Sequence, residues 1–148
     1  MDVEFDGTLL MRGDCLERMA EIGDGSIDMV MADPPYGTTA CKWDTVIDLD
    51  AMWAHLKRIV KSNGAIVMTA AQPFTSVLVT SNIKAFKHAW VWEKSSATGH
   101  LNAKRMPMRK HEDVIVMAAG KSVPYNPQGL KPFGKTVRRG GNGENFGD

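Results

Sequence analysis

The chain has 148 residues, 43% of them hydrophobic, and a formal net charge of +1. That length allows one domain with a sizeable core, and the near-zero charge excludes a polycation, so any nucleic-acid contact has to come from local basic patches. Cys15 and Cys41 stand far apart and outside any Cys-x-x-Cys spacing, which excludes a zinc site or a disulfide framework and fits a reduced, cytoplasmic setting with no bound metal.

Asp2, Glu4 and Asp6 interrupt the N-terminus, so no signal peptide is expected, and no apolar stretch approaches a membrane span. Residues 8–11 read as a short strand ending at Gly13-Asp14. Residues 15–22 have helical spacing, with Leu16, Met19 and Ala20 on one face and Asp14 as N-cap. Gly23-Asp24-Gly25-Ser26 is a turn. Residues 27–32 form an apolar run of strand length that opens into Asp33-Pro34-Pro35-Tyr36. Residues 37–48 are a polar loop containing Trp43. Residues 50–61 read as a helix with Met52, Trp53, Leu56, Ile59 and Val60 inward, ended by Asn63-Gly64. Residues 65–70 form a buried strand, 73–82 the next helix, and 86–93 and 114–118 two further strands. Residues 95–113 are a long polar and basic connection, a length that is usually functional or mobile. Alternating strands and helices imply an α/β fold with a mostly parallel, helix-flanked sheet. Residues 1–120 form that domain. Residues 121–148, with Pro124, Pro127, Pro132 and six glycines, form an irregular tail with a flexible end.

Asp33-Pro34-Pro35-Tyr36 stands at the strand edge where open α/β sheets bind ligands. An acid and an aromatic ring on a proline-stiffened backbone make a grip for a flat, hydrogen-bonding molecule such as a nucleobase. The bland alternative is a proline-stiffened turn with Tyr36 packed on the core. Chance produces a given four-residue string in a chain this size roughly once in a thousand.

Here the chain resembles the exocyclic-amino DNA methyltransferases, whose catalytic motif reads Asp/Asn/Ser-Pro-Pro-Tyr/Phe/Trp. The Asp and Tyr form looks most like adenine-specific members. Leu9-Leu10-Met11-Arg12-Gly13-Asp14-Cys15-Leu16 is similar to the family segment before the catalytic strand, and Asn63-Gly64-Ala65-Ile66-Val67 to the next strand and its entry turn. Trp90-Val91-Trp92-Glu93-Lys94 and Arg109-Lys110-His111-Glu112 resemble later segments, so the match covers most of residues 8–120. The resemblance implies a Rossmann-like methyltransferase fold, S-adenosylmethionine (SAM) as cofactor and double-stranded DNA as partner. It implies methyl transfer to the amino group of an adenine flipped out of the duplex.

That chemistry suits these residues. An amino nitrogen on a base is a poor nucleophile because its lone pair is delocalised into the ring. The Asp33 carboxylate and the Pro34 carbonyl would accept the two amino hydrogens and free the lone pair. Fixed negative charge then favours the positive charge that grows on nitrogen. Tyr36 would stack on the base, a contact worth about 1–3 kcal/mol. Pro35 holds the string rigid. The resemblance places Asp14, with Asp33, at the cofactor; helix capping is the parallel reading of Asp14. Lys104, Arg105, Arg109 and Lys110 are expected to hold phosphates beside the flipped base, and Lys94 and Ser95 to face the same cleft. Trp43 and Phe74 could line a pocket, but each residue type is more often core, and His111 is given no role. Lys84 and Lys87, and Lys131, Lys135, Arg138 and Arg139, make further basic clusters.

The chain departs from the family in one respect. The glycine-rich turn that holds the methionine part of the cofactor, Asp-x-Phe-x-Gly-x-Gly, is missing. Gly141-Asn142-Gly143 follows no apolar strand and precedes no periodic helix, and reads as flexible chain. About two strands of the family sheet and part of the cofactor pocket are therefore expected to be absent. Three origins are open: a truncated remnant, a subunit whose partner chain supplies the glycine-rich loop, or a fragment lacking its C-terminal part. Two other functions compete: a catalytically inactive nucleic-acid-binding remnant, and a methyltransferase acting on RNA or on a protein amide.

Overall fold

The computed structural model describes residues 2–131 and 134. It opens with a hairpin of β1 (Val3–Phe5) and β2 (Thr8–Leu10), turned through Asp6 and Gly7 at φ of 46° and 72°. Positive φ at both turn residues matches the twist of a two-residue hairpin. The expected first strand therefore pairs with the residues before it and takes no place in the main sheet.

Seven further elements follow: α1 (Cys15–Met19), β3 (Ile27–Ala32), α2 (Leu49–Ile59), β4 (Val60–Ala70), α3 (Phe74–Ser81), and the long strands β5 (Phe86–Thr98) and β6 (Arg109–Ala118). Short 3-10 turns occupy Ile83–Ala85 and His100–Asn102. Helix α1 stops short of residue 22 because Ala20, Glu21 and Ile22 bond three residues back, to Glu17, Arg18 and Met19, which tightens the last turn.

The main sheet runs β3-β4-β6-β5. β3 pairs with β4 in parallel, and β6 lies antiparallel between β4 and β5, so β3, β4 and β5 run the same way and β6 alone is reversed, a mostly parallel sheet as expected. The cause is connectivity. Helices α2 and α3 carry the chain back between the parallel strands β3, β4 and β5, whereas the loop of residues 99–108 folds β6 back against β5.

The connection expected over residues 95–113 contracts to residues 99–108, because both flanking strands are longer than their apolar segments. The ladder continues through Trp92↔Glu112 and Glu93↔His111 to Thr98↔Arg109. Opposite charges pair across it, Lys110 Nζ to Glu93 at 2.7 Å and Lys94 Nζ to Glu112 at 2.9 Å.

Helix α2 also ends earlier than expected. Val60 already lies in β4, and Asn63-Gly64 falls inside that strand instead of capping the helix. The β3–β4 register passes from Ile27↔Val60 to Met29↔Ala65, so Asp28 alone faces residues 61–64. This bulge carries Gly64, where an added Cβ would lie 2.5 Å from Val60 Cγ1 and 2.7 Å from the Asp28 carbonyl oxygen.

The core lies on one face of the sheet. Ile66, Met68 and Ala70 of β4, with Ile115 and Met117 of β6, alternate towards Met52, Trp53, Leu56 and Ile59 of α2 and Phe74 and Leu78 of α3. Trp53 Nε1 donates to Ser81 Oγ at 2.8 Å and ties α2 to α3. The opposite face presents Met29, Met31, Val67, His88, Trp90 and Val116, with Val123, Pro124 and Tyr125 laid against it. Met29 is 55% exposed and Met31 70%. Strand β3 is an edge, paired on one side only among the described residues. Residues 121–131 carry no helix or strand. Gly141-Asn142-Gly143 and Lys135, Arg138 and Arg139 lie outside the described residues. Among the described residues no helix is long and apolar enough to cross a membrane.

Candidate active site

Asp33 leaves the C-terminal end of β3 and is exposed; Pro34 behind it is buried and Pro35 half-buried. The Ala32↔Met68 pairing brings Asp33, one step on, abreast of Thr69 in β4. Thr69 Oγ1 donates to Asp33 Oδ1 at 2.5 Å, and the Tyr36 hydroxyl donates to the same oxygen at 2.8 Å. Among the described residues no donor reaches Oδ2.

The Tyr36 ring stacks on Phe74, with centroids 5.4 Å apart and planes 19° from parallel. Phe74 is a core residue, 2% exposed, so it fixes the tyrosine from below and covers one ring face. Burial pushes the Tyr36 phenol up to about 12; the Thr69 hydroxyl opposes that shift, and the hydrogen bond and charge of Asp33 add to it. Tyr36 thus stays protonated, and a donor, across the physiological range.

The loop after Tyr36 is held by one carboxylate. Asp44 accepts the backbone N–H groups of Gly37, Thr38 and Thr39 at 2.8, 2.9 and 2.7 Å. Three successive amides aimed at one anion form a nest. Hydrogen bonding from the Thr39 side chain lowers the Asp44 pKa below the ordinary 3.8; burial opposes this, and the amides reinforce it. Gly37 makes the turn at φ 67°, where a Cβ would meet Val46 Cγ2 at 2.9 Å. Trp43 corrects the expectation of a core residue: it is 74% exposed and stands at the mouth of the site. Loop ordering by Asp44 holds it there without burial.

Two cavities meet at Asp33-Pro34-Pro35. One, of about 270 Å³, is walled by those residues with Tyr36, Thr38, Thr39, Trp43 and Asp44. The other, of about 250 Å³, lies on the far side and is almost wholly apolar, lined by Cys15, Met19, Val30, Ala32, Ile47, Met52, Leu56 and Met68. A smaller polar hollow of about 160 Å³ adjoins the first and joins Tyr36 and Thr38 to Thr98, Arg109, His111 and Glu112.

Asp14 caps α1, accepting from the backbone N–H of Leu16 at 2.8 Å and Glu17 at 3.4 Å, and so stands next to Cys15 at the apolar cavity. Of the basic residues singled out in the sequence, Arg109 reaches the polar hollow, its guanidinium donating to the Gln72 carbonyl at 2.8 Å. Lys110 is paired with Glu93 on β5. Lys104 and Arg105 stand exposed on the turn between β5 and β6. Lys94 is engaged with Glu112 and lies 3.8 Å above the Trp92 ring. Sequence reasoning missed Thr69 and Asp44. The one signal for Thr69 was a polar residue ending an apolar strand, and for Asp44 an acid closing a loop that begins Gly-Thr-Thr. Among the described residues no cluster of three or more His, Cys, Asp or Glu could hold a metal ion.

No protein-family model and no curated protein matches the chain. Solved structures do. M1.HpyAVI in complex with SAM is 17% identical, with a TM-score of 0.53 over 79% of this chain and 58% of that one. A candidate DNA modification methylase from Thermus thermophilus is 17% identical, with a TM-score of 0.57 over 78% of this chain and 54% of that one. The PvuII DNA methyltransferase (cytosine-N4-specific) is 14% identical, with a TM-score of 0.54 over 75% of this chain and 49% of that one. The chain therefore has the methyltransferase α/β fold in part, and spans about half the length of the structures it matches.

Proposed function

We propose that this chain is the catalytic portion of a SAM-dependent DNA methyltransferase that modifies the exocyclic amino group of adenine. The observation that carries this reading is the pair of cavities meeting at Asp33-Pro34-Pro35. An amino-group transfer needs two sites that adjoin at the reacting atoms, one for the base and one for the methyl donor, and residues lining both hollows mark that junction. SAM, when bound, supplies an electrophilic methyl group. The apolar cavity suits the flat adenosine part of that molecule, with Met19, Ile47, Met52 and Leu56 as its walls and Asp14 beside it as a polar neighbour. These residues do not supply a seat for the charged methionine end.

On the other side, Tyr36 offers the ring face that Phe74 leaves uncovered, and Trp43 stands opposite at the mouth. A base between them would present its amino hydrogens to Asp33 and to the Pro34 carbonyl. The freed nitrogen lone pair would bond the methyl carbon as the sulfonium sulfur–methyl bond breaks and its electron pair leaves on sulfur as a neutral thioether, and the carboxylate would offset the positive charge that grows on nitrogen. Asp33 takes the amino proton afterwards. Arg109 beside the site, with Lys104, Arg105 and Lys110 along the β5–β6 hairpin, would hold the phosphates flanking a flipped nucleotide. The resemblance of the Asp and Tyr motif favours adenine over cytosine.

The unpaired edge of β3, and a length about half that of the matched structures, support a sheet extended by another segment that carries the glycine-rich turn. The missing turn also favours a second reading, a nucleic-acid-binding remnant without turnover. Calorimetric titration with SAM and transfer of a labelled methyl group to DNA separate the two. Transfer that falls on the order of a hundred- to thousandfold in Asp33→Ala, with the fold retained, is the expected result. Full activity in that variant would end the catalytic assignment. Oligonucleotides offering only adenine or only cytosine decide the base.

A further inference from the structure

The two oxygens of the Asp33 carboxylate are used unequally. Thr69 and Tyr36 both donate to Oδ1, and among the described residues no donor reaches Oδ2. The two donors differ in what holds them. Tyr36 sits on the loop past β3 and is steadied by stacking on Phe74. Thr69 is 7% exposed, inside a strand paired on both sides, to β3 one residue earlier and to Val114 of β6 directly. Its β-branched side chain has restricted χ1 freedom, and its hydroxyl has one hydrogen to give. The terminal torsion of an aspartate is broad and roughly two-fold, so nothing intrinsic to Asp33 distinguishes its oxygens or fixes its plane. A buried donor clamped between two strands does both.

We propose that Thr69 is a positioning residue: it anchors Oδ1 of Asp33 to the sheet and so reserves Oδ2 as the oxygen that receives an amino hydrogen of the base. The anchoring stands on geometry alone; the consequence for transfer rests on the amino-methyltransferase reading above. The role differs from that of Tyr36, which also has a ring face to offer. Thr69 lines none of the three hollows at the site, and its hydroxyl donates to Asp33.

The test uses the full chain and two readouts. In the first, crystal structures without substrate read the plane of the Asp33 carboxylate. Thr69→Val removes the hydroxyl at similar shape, and the carboxylate should leave its wild-type plane or occupy more than one orientation. Thr69→Ser keeps the donor and should hold the wild-type plane. A single, unchanged plane in folded Thr69→Val overturns the anchoring. Thr69→Ala serves the same purpose if the valine variant does not fold. The second readout is methyl transfer to DNA. Thr69→Val should lose about tenfold in kcat with KM for DNA little changed, and Thr69→Ser should recover most of it. Wild-type kcat in Thr69→Val overturns the positioning role. If the unmutated chain, supplied with SAM, transfers nothing, the functional reading is what fails, and the carboxylate plane still decides whether Thr69 anchors Asp33.

Discussion

Tyr36 shows how one side chain is tuned by three neighbours. Phe74 takes one ring face, Asp33 accepts a hydrogen bond from the hydroxyl, Thr69 opposes the upward pKa shift, and burial keeps the phenol neutral. Its pKa in the folded chain, about 12, exceeds the ordinary 10.0, so its contribution to stability is full below pH 10 and is lost as pH rises towards 12. Wild type should lose stability relative to Tyr36→Phe across that window. The difference in ultraviolet phenolate absorbance between the two proteins should show a titration near pH 12. A phenolate that forms at pH 10 while the protein is still folded contradicts the arrangement. The acid, the prolines and the ring were legible in the sequence because four adjacent residues carry them. Thr69 and Asp44 were not. The hydrogen bond from Thr69 to Asp33 spans 36 positions, and the grip of Asp44 on three amides depends on a backbone turn that side-chain pattern does not report.

At the scale of elements, continuous apolar runs announced themselves and polar extensions did not. Residues 27–32 coincide with β3 because hydrophobicity fills that strand almost from end to end. The outer halves of β5 and β6 are stabilised by their mutual ladder and by charge pairs in solvent, and leave no hydrophobic period to read. Asn63-Gly64 misled for a related reason: the pair usually marks a helix end, and here it serves a bulge that adjusts the β3–β4 register ahead of Asp33. Gly64 is needed there, since a methyl group would press on two carbonyl oxygens, those of Asp28 and Lys61, at 2.7 and 3.0 Å. Gly64→Ala should cost about 1–3 kcal/mol, read from the urea midpoint. Gly23→Ala is the control, because its added Cβ would come no closer than 4.0 Å to Ser26 Oγ. Equal midpoints for the two variants would show that the bulge relaxes freely.

The molecule as a whole is built on one side. Helices α2 and α3 seal one face of the sheet, while the other shows Met29, Met31 and Trp90, each more than half exposed, next to the edge of β3 that has no strand partner among the described residues. Contiguous apolar surface beside a free strand edge promotes association. The chain should bind an apolar fluorescent dye and show concentration-dependent sedimentation. Met31→Lys should weaken both while changing stability by no more than about 0.5 kcal/mol, as expected of a surface position. Unaltered sedimentation in that variant would place the association elsewhere. The α/β class and the mostly parallel sheet were legible from the order of elements; the insertion of the reversed strand β6 between β4 and β5 was not, because it rests on pairings between segments far apart in the chain.

Asp33, Pro34 and Pro35 line both hollows. Proline has a fixed φ and no amide hydrogen, so this junction has little freedom to bend. A rigid junction common to two pockets sets the spacing between whatever they hold, so the alignment of two occupants would be fixed by the backbone itself and not by closure of a loop.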